Sequence, residues 1–288
     1  MEESPKEPNE AEGEARHSAH FIRHSKANYA SYEQVASSDD PTRPVNIEGQ
    51  VVPDLTESGV ELAKQEAQRF FAELDPNRDE LFFTSSNEVR ALETAQLYKI
   101  VAKEKGFTIH TPEHVRGELA EDIGEGDVWV IDALSLNTQN VLVNSAFSPE
   151  AQLSTLNVDG LDEETRDKWQ KARAIVNADD KGSWGANYFA HSEELKQIFP
   201  EIETSEELYA GRFQKLLKLA LFGFKKADEA TAGKNIRILA FGHENYMGYA
   251  LNKYFDEHEL KNCEVVTIEQ SEKEMMTIER REITKEIH

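Results

Sequence analysis

Short apolar runs of strand type alternate with amphipathic helical stretches in two separate portions of this 288-residue sequence, and that alternation restricts the fold more than any other feature. Ala63, Ala67, Phe70, Phe71 and Leu74 recur at the spacing of one helical face, with Thr56 as the expected N-cap. A strand-type run at 80–84 (ELFFT) follows, then a second helix with Ser86 or Asn87 as its cap and Gly106 at its end. Late in the chain, residues 204–207 (TSEE) have capping-box spacing ahead of a face made by Tyr209, Phe213, Leu216, Leu217, Ala220 and Phe224. A strand at 235–241 (NIRILAF) leads to a helix at about 247–255. Two further β-type runs at 263–268 and 275–280 form a terminal hairpin or adjacent strands. The pattern predicts an α/β three-layer sandwich: a mostly parallel central sheet flanked by helices on both faces.

Residues 1–18 read as a disordered acidic tail, because they are rich in Glu and hold no large apolar residue after Met1. Residues 19–288 then make a single domain, with a long loop at about 25–53. The alternation lapses from about 127 to 200, which predicts an inserted cap. Trp129, Trp169, Trp184 and Tyr188 fall in it and read more readily as the cap's own core than as pocket lining.

Thirty-two Lys and Arg stand against 55 Asp and Glu, a formal charge of −23. A polyanion of that charge repels a phosphate backbone, and no basic stripe offsets it, so nucleic acid is excluded as a partner. No apolar stretch approaches the length of a membrane span and no signal peptide is legible, so no membrane partner is expected and a cytoplasmic location is. The single cysteine, Cys263, fits a reducing compartment. The spacings of His17, His20 and His24, or of His110 and His114, do not make a metal site, since no Cys or tight acidic cluster lies near them.

Three predicted strands end at once in a charged or titratable group: Arg23 and His24 after residues 19–22, Arg90 after 80–84, and His243 after 235–241. The carboxyl ends of parallel strands open on one edge of a sheet, where ligands of such folds bind. Two His and two Arg converging there suit phosphate chemistry. A guanidinium fits phosphate oxygens with a planar fork of donors, and a neutral imidazole nitrogen attacks phosphorus.

Four blocks in order then resemble the histidine phosphatase superfamily, of the phosphoglycerate mutase-like branch. They are residues 21–25 (FIRHS), 54–59 (DLTESG), 84–95 (TSSNEVRALETA) and 241–244 (FGHE). The third is the most specific. The resemblance implies that His24 is the phosphorylated nucleophile, that Arg23, Arg90 and His243 bind the phosphoryl group, and that neither metal nor other cofactor takes part. It also implies a carboxylate proton donor in residues 119–126 (LAEDIGEG), for which Glu121 is the choice and Glu118 and Asp122 are rivals. Asn28 or Lys26 adds a phosphate contact.

Two positions depart from the family pattern: Ser25 replaces a common Gly, and Glu244 follows the second His where Gly is frequent. Glu244 is expected to point away from the site. The longer mutase signature is absent after His24, where the chain reads HSKANYAS, so the resemblance favours a phosphomonoesterase over a mutase. A small phosphorylated metabolite or a phosphoprotein would be the substrate. The alternative is a non-catalytic phosphate-binding regulatory module, since fold does not prove activity.

Overall fold

A computed structural model of the chain describes residues 17–27, 55–86, 88–110, 128–130, 162–178, 180, 187–188, 190–200, 205–230, 233–257, 259–270 and 276–287. The strands are β1 (Ser18–Arg23), β2 (Asp79–Ser85), β3 (Thr108–Ile109), β4 (Trp129–Val130), β5 (Asn235–Gly242), β6 (Val265–Gln270), β7 (Met276–Arg280) and β8 (Ile283–Ile287). The helices are α1 (Glu57–Ala72), α2 (Val89–Glu104), α3 (Glu163–Val176), α4 (Ser192–Ile198), α5 (Ser205–Ala230) and α6 (Glu244–Phe255). Asn28, Asn87, Glu118, Glu121, Asp122, Trp184 and the acidic residues 1–16 lie outside the described residues.

The sheet runs β3-β2-β5-β1-β6-β7-β8, with β4 also paired to β2. Pairings among β1 to β5 are parallel, and β6, β7 and β8 continue the sheet antiparallel. The expected α/β sandwich with a parallel centre is therefore present. The runs at 263–268 and 275–280 are a hairpin that pairs onto β1. β8 went unforeseen because four of its five residues are exposed, so its sequence carries no buried face for a period to mark.

Alternation along the central strands divides the core between the two faces. Leu239 and Phe241 of β5 and Leu81 and Phe83 of β2 join Ala63, Ala67 and Phe71 of α1 and Ala91, Ala95 and Tyr98 of α2. Ala240 of β5 and Ala19 and Phe21 of β1 face the other way, onto Phe213, Leu216 and Phe224 of α5 and Met247 and Leu251 of α6. At Gly223 α5 comes close to β5, where a Cβ would lie 2.8 Å from Cδ1 of Ile238 and that side-chain tip would have to shift.

Within the expected cap, α3 packs against α4 and buries Trp169, Tyr188 and Leu195. Residues 129–130, also expected in the cap, belong instead to the sheet: Thr84 and Ser85 pair with Trp129 and Val130. A two-residue strand is too short to show a period.

Candidate active site

Three strand ends bring the site together. β1 delivers Arg23 and His24, β5 delivers His243, and β2 leads through Ser86 to the start of α2, where Arg90 sits. β1 and β5 are parallel and in register, with Arg23 opposite Gly242, so the residues after each strand emerge side by side. The rings of His24 and His243 lie 5.1 Å apart at 58°. Both are buried, at 3% and 2% exposure.

Nδ1 of His24 lies 2.7 Å from the carbonyl oxygen of Ser25. A carbonyl can only accept, so Nδ1 carries the proton and Nε2 keeps the lone pair in the neutral ring. Burial, with the charges of Arg90 and Arg23 added, lowers the pKa of His24 from 6.5 to about 3. Burial likewise holds His243 well below its usual value, reinforced by His24, Arg90 and Arg23. Two neutral imidazoles thus face two guanidiniums.

His243 bonds through Nε2 to Oγ of Ser86 at 2.9 Å. Ser86 is not the N-cap of α2: Glu88 holds that position without a side-chain cap bond, and Oγ of Ser86 also accepts from the N–H of Glu88 at 3.4 Å. Phe21, Ala240, Met247 and Leu260 line a small cavity beside Arg23 and His243, an apolar backing in which charge interactions are weakly screened.

The other sequence blocks hold this centre in place. Oγ1 of Thr94 accepts from the N–H of Ser25 at 3.0 Å and donates to the carbonyl of Arg90 at 2.7 Å, which ties the loop after β1 to α2. Buried Glu93 accepts from the N–H of Leu55 at 2.8 Å. Thr56 caps α1 as expected, accepting from Gly59, and its own N–H donates to the carbonyl of Lys26 at 3.0 Å. A Cβ at Gly59 would meet that carbonyl oxygen at 2.2 Å, so the close approach requires glycine. Oγ of Ser25 donates to Gly59 at 2.6 Å, a bond that the family's usual Gly could not make. The contacts of Ser86, of Thr94 and of Asn262, whose Nδ2 donates to the carbonyl of His24 at 2.8 Å, were not anticipated. Thr94 and Ser86 stand inside a recognised block, and that was the only signal available for them.

Glu244 corrects the expectation that it points away. Its carboxylate is buried and Oε2 lies 2.6 Å from Nη1 of Arg23, which also donates to the carbonyl of Leu260. A buried carboxylate beside a guanidinium is drawn inward by the charge it neutralises. Nε of Arg23 is buried without a hydrogen-bond partner among the described residues. Arg90 pairs with Glu88 at 3.2 Å.

The described residues contain no cluster of metal-ligating side chains, and no described helix is long and apolar enough to cross a membrane.

No family model and no curated protein matches this sequence. Solved structures align along nearly all of it. A phosphoglycerate mutase from Bacillus anthracis is 14% identical, with 93% of this chain and 94% of that one covered and a TM-score of 0.46. A phosphoserine phosphatase from Entamoeba histolytica is 13% identical, with 94% and 95% covered and a TM-score of 0.36. A phytase from Citrobacter braakii is 10% identical, with 92% and 84% covered and a TM-score of 0.40.

Proposed function

We propose that this chain is a phosphomonoesterase of the histidine phosphatase type, working in the cytoplasm without metal or other cofactor on a small phosphorylated substrate or a phosphoprotein. The supporting observation is His24 itself: neutral, buried, with Nδ1 tied to Ser25 and Nε2 left as the lone-pair nitrogen, 5.1 Å ring to ring from His243. In this reading Nε2 attacks phosphorus, the N–P bond forms, and the ester P–O bond breaks as the leaving oxygen takes a proton from Glu121. Glu118 and Asp122 stay as rivals for that proton. Water then attacks the phosphohistidine, gives its proton to the carboxylate, and releases phosphate.

Arg23, Arg90 and His243 stabilise the charge of the transferring oxygens, with Asn28 as a further contact. The two guanidiniums supply the charge that a divalent ion supplies elsewhere, which is the reason for reading the chemistry as metal-independent. Nε of Arg23, a buried donor lacking a partner among the described residues, suits a phosphate oxygen.

The test is hydrolysis of an aryl phosphate in the presence of a chelator, with His24→Ala as control. Turnover that survives the chelator, disappears in the variant and passes through an alkali-stable, acid-labile phosphoenzyme is expected. Turnover retained by a folded His24→Ala protein refutes the mechanism. Phosphate binding with no turnover would instead favour a non-catalytic regulatory module, a reading supported by the carboxylate of Glu244 on Arg23.

A further inference from the structure

Arg280 stands in β7, three strands from β5, and is 1% exposed. A guanidinium is buried that deeply only when its donors are met. Nε donates to Oε1 of Glu264 at 2.8 Å, Nη1 to Oε2 of Glu257 at 2.7 Å, and Nη2 to the carbonyl of Glu259. All three acceptors belong to the connection between α6 and β6. Arg281 joins from the solvent side, with Nε 2.6 Å from Oε1 of Glu264 and Nη1 3.1 Å from Oε2 of Glu257.

The same connection makes the contacts that hold the end of β1. The carbonyl of Leu260 accepts from Nη1 of Arg23. Nδ2 of Asn262 donates to the carbonyl of His24 at 2.8 Å, and the N–H of Cys263 donates to the carbonyl of Arg23 at 3.0 Å. The N–H of Arg23 donates in turn to the carbonyl of Glu264 at 3.3 Å. Cys263 itself adopts φ +59°, a left-handed conformation that a non-glycine residue keeps only when its surroundings impose it.

We propose that Arg280 is a positioning residue: by clamping Glu257, Glu259 and Glu264 it sets the connection that aims Arg23. The inference rests on the phosphate-binding role proposed for Arg23. Arg280 touches no reacting atom and acts only through that connection. Without it, two carboxylates converge with one fewer cation, and the Leu260 carbonyl loses its fixed place beside Arg23.

The test uses the full chain and a double-mutant cycle read by titration with inorganic phosphate. Arg280→Gln is expected to weaken phosphate binding about 10- to 100-fold, the scale of coupling within one hydrogen-bond and salt-bridge network. In an Arg23→Ala background the same substitution should change binding less than about twofold, because the group it aims is gone. Equal losses in both backgrounds would make Arg280 merely structural and overturn the proposal. Glu257→Gln, half-exposed and leaving the Arg280–Glu264 pair intact, should show a smaller loss with the same dependence on Arg23. It decides the matter if Arg280→Gln does not fold, and no loss overturns the clamp. Wild-type protein with neither turnover nor phosphate binding refutes the proposed function instead. Amide exchange at Cys263 then judges the clamp, with faster exchange in Glu257→Gln supporting it and unchanged exchange overturning it.

Discussion

The carboxylate of Glu244 sits 2.6 Å from the guanidinium of Arg23, so one of the cations at the candidate phosphate site is already partly neutralised. The Glu244 and Arg23 side chains are 6% and 17% exposed, which keeps solvent from screening the pair strongly. An incoming phosphate must share Arg23 with this anion. Glu244→Gln removes the charge and keeps the shape, and is expected to tighten inorganic phosphate binding about tenfold, or about 1.4 kcal/mol. Titration calorimetry checks it. Weaker binding in the variant would mean that Glu244 serves the site by holding Arg23 rather than by opposing the ligand.

Thr94 ties the loop after β1 to the helix that carries Arg90, through a bond to the N–H of Ser25 at 3.0 Å and one to the carbonyl of Arg90 at 2.7 Å. Thr94→Val keeps the volume and leaves the buried N–H of Ser25 without its acceptor. The expected cost is about 1–3 kcal/mol of stability, the penalty of an unmet buried donor, with a loss of turnover beyond what the remaining folded fraction explains. Urea unfolding and activity measured on the same preparations separate the two effects.

Acid should weaken the fold through its buried histidines. His20 sits in a buried chain of bonds: Arg237 donates to Oγ of Ser18 at 2.8 Å, Ser18 lies 2.7 Å from Nε2 of His20, and Nδ1 lies 3.0 Å from Oγ1 of Thr267. Burial and then Arg237 lower the His20 pKa from 6.5 to about 3, and His24 is lowered to about 3 as well. The unfolded chain takes up these protons near pH 6.5 and the native one only near 3. The stabilisation is complete above about 6.5 and is lost as the pH falls toward 3. The urea midpoint should decline across that window, and His20→Gln should flatten part of the slope. A midpoint constant from pH 7 to 4 contradicts this account.

Much of the fold was legible because its signals are local. The apolar stripe from Ala63 to Phe71, the cap at Thr56 and the apolar run in residues 235–241 are each set by residues a few positions apart. β4 and β8 were missed for the converse reason, since one is two residues long and the other mostly exposed. The blocks that suggested phosphate chemistry do meet at one sheet edge, and the structure adds what their minor residues do: Thr94 and Glu93 bind the two preceding blocks to α2.

By itself the sequence determined the longer strands and helices outside residues 127–200, their order, and that Arg23, His24, Arg90 and His243 lie at or beyond the ends of three strands. Those properties depend on side-chain periodicity and on caps a few residues away. Only the tertiary structure decided that Ser86 bonds His243 across 157 positions, and that Asn262 holds His24 across 238. It also decided that Glu244 turns inward to Arg23 and that Arg280 reaches the loop beside them. A buried charge takes whatever partner the packed chain brings within reach, and no local pattern encodes which partner that is.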